Sequence, residues 1–263
     1  SQIMKLEYFD LLSPLSINIG NIGHIKSPTL KEISQIGYLQ YNGYLNILLL
    51  TPENYFKSIN KDSFEKYQAL DDETKMKMSM FEIMLSNKDL LYSYLDVFNF
   101  FFEEYVAFDP NAKVFCIYNS QEDIENKMKP LGIINSNTFS DICDIILQRN
   151  SIFKNCANEE YKKVKNKRAL EILKKLKKGQ TEQNKKNQLD KKVELSNVIS
   201  ALSAYHNNLN MVNIWDLTVF QLYDQFKRLQ NNSIFNMNSM SVSVWGDKDN
   251  KFDATRWYQL MDN

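Results

Sequence analysis

The spacing of apolar positions divides the chain into short strand-like runs and helical stripes up to about residue 150, and into helical stripes alone near its end. Residues 5–12 and 15–19 alternate as two short strands, with Gly20 and Gly23 supplying a turn that tolerates positive φ. Ser27-Pro28-Thr29-Leu30 then opens a helix. Ser27 is a candidate cap, Pro28 suits a first turn, Thr29 and Glu32 have capping-box spacing, and Leu30, Ile33 and Ile36 share a face. Gly37 and Gly43 inside that stripe mark close packing or a kink. Thr51-Pro52-Glu53 starts another helix that ends near Asn60, and Asp71-Asp72-Glu73 places negative charge where the next one begins. Residues 89–104 form a long helix, apolar on most sides and so central to its domain.

The runs YVAF and KVFCIYN flank the turn-forming group Asp109-Pro110-Asn111-Ala112 and predict a hairpin. A further strand at 131–134 leads through Asn135 and Thr138 into a helix with Phe139, Ile142, Ile145 and Ile146 on one face. Near the C-terminus, Leu195, Val198, Ile199, Leu202 and Tyr205 recur at helical spacing. Asn213 is placed to cap the next helix, which Trp215, Val219, Phe220, Tyr223 and Phe226 would line. Residues 239–245 alternate as a short strand would, with a helix left open, and Asp253 can cap a closing helix, ATRWYQLM. The predicted class is α+β: an N-terminal helical domain with a small antiparallel sheet over 1–160, a basic, partly helical connector over 161–192, and a small, mainly helical C-terminal domain over 193–263.

Charge draws those boundaries. The chain is neutral overall, yet residues 1–160 carry 14 Lys and Arg against 22 Asp and Glu, residues 161–192 carry 13 against 3, and residues 193–263 carry 5 against 7. A block that basic buries too little apolar surface to make its own core. Within it, Ala169, Leu170, Leu173 and Leu176 make an amphipathic turn and a half, while 179–190 reads as disordered and 179–192 as open to trypsin. Its lysines, Lys174, Lys175, Lys177, Lys178, Lys185 and Lys186 among them, suit a solvated tether. They also suit salt-dependent phosphate binding, though no aromatic residue is interleaved after Tyr161 for base stacking.

Candidate chemistry is sparse. Cys116, Cys143 and Cys156 follow no metal or redox spacing and indicate a reducing compartment, and the start SQIMKLEYFDLL lacks the layout of a secretory signal, so a cytoplasmic protein is expected. The longest apolar runs, 45–50 and 97–102, are too short to span a bilayer. His24 and His206 fall in different predicted domains, and no phosphate-binding or zinc motif occurs. Asp247 and Asp249 begin like a calcium loop, but Lys251 and Phe252 stand where a ligand and a glycine belong. Glu125 and Lys127, with Asp109 upstream, have the residue types of a metal-dependent nuclease without its strand pattern. No cofactor and no catalysis are expected. Apolar surface is the remaining candidate. Met76, Met80 and Met84, in a run that also holds Met78 and Phe81, fill a core or grip a partner helix, and Trp215 and Tyr223 raise the same pair of readings.

Three stretches, KSPTLKEISQIGYLQYNGYL, LQRN and the long C-terminal run from NIWDLTVFQLYDQFKRLQ to DATRWYQLM, resemble tail assembly chaperones of tailed phages and prophages from Firmicutes. The resemblance covers both domains and skips the basic connector. It implies a non-enzymatic protein of the tail morphogenesis module that binds the tape measure protein and assists assembly of the tail-tube protein, with self-association possible. Many such proteins are made as short and long products by a ribosomal frameshift, whereas this chain carries both halves in one frame. A phage nucleic-acid-binding or anti-defence protein that uses the lysine-rich connector is the alternative.

Overall fold

The computed structural model describes residues 5–154 and 195–261, and the chain divides after Ile152 into two compact units. The basic connector, with its six named lysines and Cys156, lies outside the described residues. Among those described are twelve helices and two small antiparallel sheets, the sheets in the N-terminal half and the C-terminal region helical, so the class is α+β.

In the first unit, residues expected to form a strand instead make a helical turn, α1 (Tyr8–Leu12). Alternation would put Phe9 and Leu11 on one face, but Leu11 is buried and Phe9 exposed. Burial of Leu6 and Leu11 together decides the local conformation over propensity. The hairpin follows one element later, as β1 (Ile17–Ile19) and β2 (Gly23–Ile25), turning through Gly20 at φ 47°. Thr29, not Ser27, caps α2 (Leu30–Ile36): its hydroxyl accepts from Glu32 N, and the Glu32 carboxylate reaches back to the cap. Gly37 at φ 94° breaks the stripe and α3 (Tyr38–Leu48) starts anew, whereas a Cβ at Gly43 would meet nothing within 4 Å, so no close packing explains that glycine.

Three short helices follow, α4 (Pro52–Ile59), α5 (Lys61–Gln68) and α6 (Asp72–Lys77), capped by the side chains of Thr51, Asn60 and Asp71 and burying no residue completely. The core forms farther on. α7 (Met80–Leu85) and α8 (Lys88–Phe101) pack with α10 (Phe139–Arg149) and the sheet β3 (Tyr105–Asp109), β4 (Val114–Tyr118) and β5 (Gly132–Ile134), in the order β3-β4-β5. The short α9 (Gln121–Glu125) joins β4 to β5. Phe98 is fully enclosed, its ring 5.0 Å from that of Phe115, 5.9 Å from Phe139 and 6.2 Å from Phe102, mostly edge to face. Tyr94 is equally enclosed; its hydroxyl donates to Ile47 O at 3.0 Å, and burial pushes the phenol far above its usual range. β5 crosses the hairpin turn so closely that a Cβ on Gly132 would lie 2.2 Å from Asn21 O.

The end of α10 ties this unit shut. Arg149 is completely buried, its guanidinium donating to Asp10 O at 2.9 Å and Leu15 O at 2.6 Å. Burial lowers its pKa to about 10, against the smaller opposing pull of Asp10. Beside it, Leu6 N donates to Gln148 Oε1 at 2.9 Å, and Tyr41 Oη to Asn150 Oδ1 at 2.7 Å.

The second unit pairs α11 (Leu195–Tyr205) with α12 (Val219–Trp245), with 3₁₀ turns at Ile214–Asp216 and Arg256–Tyr258. Its core is Leu195, Val198, Ile199 and Leu202 against Ile214, Val219, Phe220 and Leu222. Two expectations change, and one choice left open is decided. Asn213 makes no helix cap; Thr218 does, in a capping box with Gln221, so Trp215 stands before the helix and not on it. Residues 239–245 continue α12 as helix. The closing helix shrinks to a 3₁₀ turn, because the Asp253 carboxylate accepts from Thr255 N, Thr255 Oγ1 and Gln259 Nε2, bonds that tie the segment locally.

Candidate partner-binding surface

A helix of 27 residues runs for roughly 40 Å, but only its beginning is buried. Val219, Phe220, Leu222 and Asp224 are its enclosed residues. Farther on, the C-terminal segment returns along one flank: Arg228 Nη1 donates to Gln259 O at 2.8 Å and to Trp257 O at 3.3 Å, Asn231 Nδ2 donates to Arg256 O at 3.3 Å, and the rings of Phe235 and Phe252 lie 5.5 Å apart.

Among the described residues nothing covers the other flank. Ile234, Met237, Met240, Val244 and Trp245 are between 48% and 76% exposed, and at about 100° per residue they fall within roughly 140° of arc. No charged residue occurs between Arg228 and Asp247. An aqueous surface of this extent without charge, with two methionines that adapt their shape to what they touch, has the properties of a contact surface for an apolar helix.

The residues named from sequence are dispersed. Tyr223 is half-buried on the same side of α12, about three turns before the bare stripe. Trp215 is half-buried in the preceding 3₁₀ turn, its indole donating to Met211 O at 2.9 Å. In the first unit, Met76 is exposed on α6, Met80 is half-buried at the start of α7, and Met84 is completely enclosed, so the three methionines share no exposed face. Sequence reading missed the stripe itself. Its signal was available: Met237, Met240 and Val244 at intervals of three and four, in a run of 18 uncharged residues from 229 to 246.

Groups with reactive potential are engaged locally. His24 Nδ1 lies 2.5 Å from Glu104 Oε1, and His206 Nδ1 accepts from Asn208 N and Leu209 N. Cys116 and Cys143 are buried thiols, and desolvation raises the pKa of Cys116. The Asp247 carboxylate accepts from Lys251 N and Phe252 N, both at 3.0 Å. Among the described residues no group of three or more His, Cys, Asp or Glu is placed to hold a metal ion, and no helix is long and apolar enough to cross a membrane. No curated protein and no solved structure matches the chain. Residues 183–262, which contain α11, α12 and the returning segment, match the family model described as the YomV second domain, so this part of the chain is similar to a phage-associated domain family.

Proposed function

We propose that this chain is a non-enzymatic phage tail assembly chaperone, acting in the host cytoplasm. It binds the tape measure protein, whose amphipathic helices aggregate when exposed, and holds it soluble while the tail-tube protein polymerises around it. The observation that carries this reading is the bare, uncharged stripe of α12, because it lies inside the segment similar to a phage-associated family and offers an apolar helix face. Ile234, Met237, Met240, Val244 and Trp245 make the contact, and the Met-rich surface accepts many helix sequences.

The test is co-expression with the tape measure protein of the same genome. The chain should keep that protein in the soluble fraction and co-purify with it, and Met237→Asp with Met240→Asp should abolish both effects without lowering the Tm. Equal solubility of the tape measure protein in the absence of this chain sinks the proposal. Steeply salt-dependent binding to nucleic acid, lost when Lys174, Lys175, Lys177 and Lys178 become Gln, would instead favour the nucleic-acid-binding reading.

A further inference from the structure

The first unit carries an open groove of about 490 Å³ between α8, β3 and α9, walled by Leu91, Leu95, Phe108, Pro110 and Ile124, and none of its lining residues is charged. One side of this groove is a sheet edge, since among the described residues β3 pairs only with β4 in the order β3-β4-β5. That edge is already read by a side chain. The Asn99 amide accepts from Val106 N and donates to Val106 O, both at 2.9 Å, the two bonds that a neighbouring strand would supply.

Two observations fix which backbone groups face outward. Val106 turns both of its groups to Asn99, and its partner Ile117 turns its carbonyl to β5, accepting from Leu131 N at 2.8 Å. Pairing alternates with a period of two, so Phe108 also presents its N–H and C=O away from β4, into the groove. An edge whose open residue, Phe108, stands beside an apolar cavity matches a short extended peptide with one large apolar side chain. Charge refines the match. α9 carries Glu122, Asp123 and Glu125, Asp89 and Asp96 stand on α8 and Asp109 ends β3, against Lys127 and Lys129 just past α9, Lys88 over the Tyr92 ring and Lys113 in the β3–β4 turn, so acidic groups outnumber basic ones around the groove.

We propose that this groove docks an extended segment of another protein, added as a strand against Phe108, with an aliphatic side chain in the cavity and basic residues beside it. The site is separate from the α12 stripe and does not depend on the chaperone reading. The probe is the synthetic peptide Lys-Val-Leu-Val-Lys, titrated into the isotope-labelled full chain. The Phe108 amide should shift saturably and exchange more slowly. Of two peptides methylated singly at adjacent central nitrogens, one should bind at least about tenfold more weakly and the other should not, because only alternate N–H groups face the strand. Leu91→Arg should weaken the parent peptide by a similar factor, and the methylated peptides provide the test on the unaltered chain if that variant fails to fold. Absence of saturable shifts up to about 1 mM, indifference to both methylations, shifts confined to α12, or a β3-edge dimer of the chain that excludes the peptide would each overturn the proposal.

Discussion

The core around Phe98 and the second half of α12 are both rich in large apolar side chains, yet one is closed on every side and the other is open to water. Phe98 is ringed by Phe102, Phe115 and Phe139, which come from the residue that ends α8, from the sheet and from α10. Met237, Met240 and Val244 have helix behind them and solvent in front. Apolar content therefore does not mark a core; the number of elements converging on it does. A long helix projects an apolar stripe past the point where its own unit can cover it, and that surplus is what a partner can use.

Substitutions along this contrast should grade from stability to binding. Phe98→Ala should cost about 3 to 5 kcal/mol, measured by urea unfolding, because it removes a ring from a site packed on all sides. In the second unit Leu222→Ala, at a fully enclosed position, should cost about 2 to 5 kcal/mol. Phe226→Ala should cost less than Leu222→Ala, since Phe226 is only half-buried; the reverse order would place the core of this unit farther along α12. Gly132→Ala should lower stability by about 1 to 3 kcal/mol, because its new methyl meets the backbone of Asn21 and Ile22 and not a movable side chain. The smallest expected effect is the most informative. Met240→Asp should change stability by no more than about 0.5 kcal/mol while eliminating co-purification of the tape measure protein. A large drop in Tm would show that the stripe is covered within the chain, and the contrast would collapse.

Local signals were legible in the sequence where one side chain satisfies its own backbone. The Thr29 and Glu32 box, the Thr51-Pro52 start and the Asp109-Pro110-Asn111-Ala112 turn all stand where their spacing predicts. Misreadings arose where the deciding partner is distant. Residues 8–12 are helical because Leu6 and Leu11 must both reach a core that includes α10, and no local pattern encodes that. In α12 the run MSVSVW alternates like a strand, but the capping box at Thr218 starts a helix that simply continues to Gly246, where φ is 75°. The stripe stayed hidden while strand and helix were both open for 239–245, since its residues share a face only if the helix is unbroken. The β3 groove was equally invisible, because it requires Asn99, Phe108 and Ile124 to converge from three elements.

The clamp made by Arg149 also sets a schedule. Its two carbonyl acceptors, Asp10 and Leu15, precede it by 139 and 134 residues, so they leave the ribosome long before the guanidinium that holds them exists. At about 5 to 20 residues per second, roughly 7 to 30 s of synthesis separate the start of the chain from Arg149. Throughout that interval the N-terminal segment can be hydrated but not locked, and a nascent chain that stalls before the end of α10 cannot complete its first unit however much of its core has assembled.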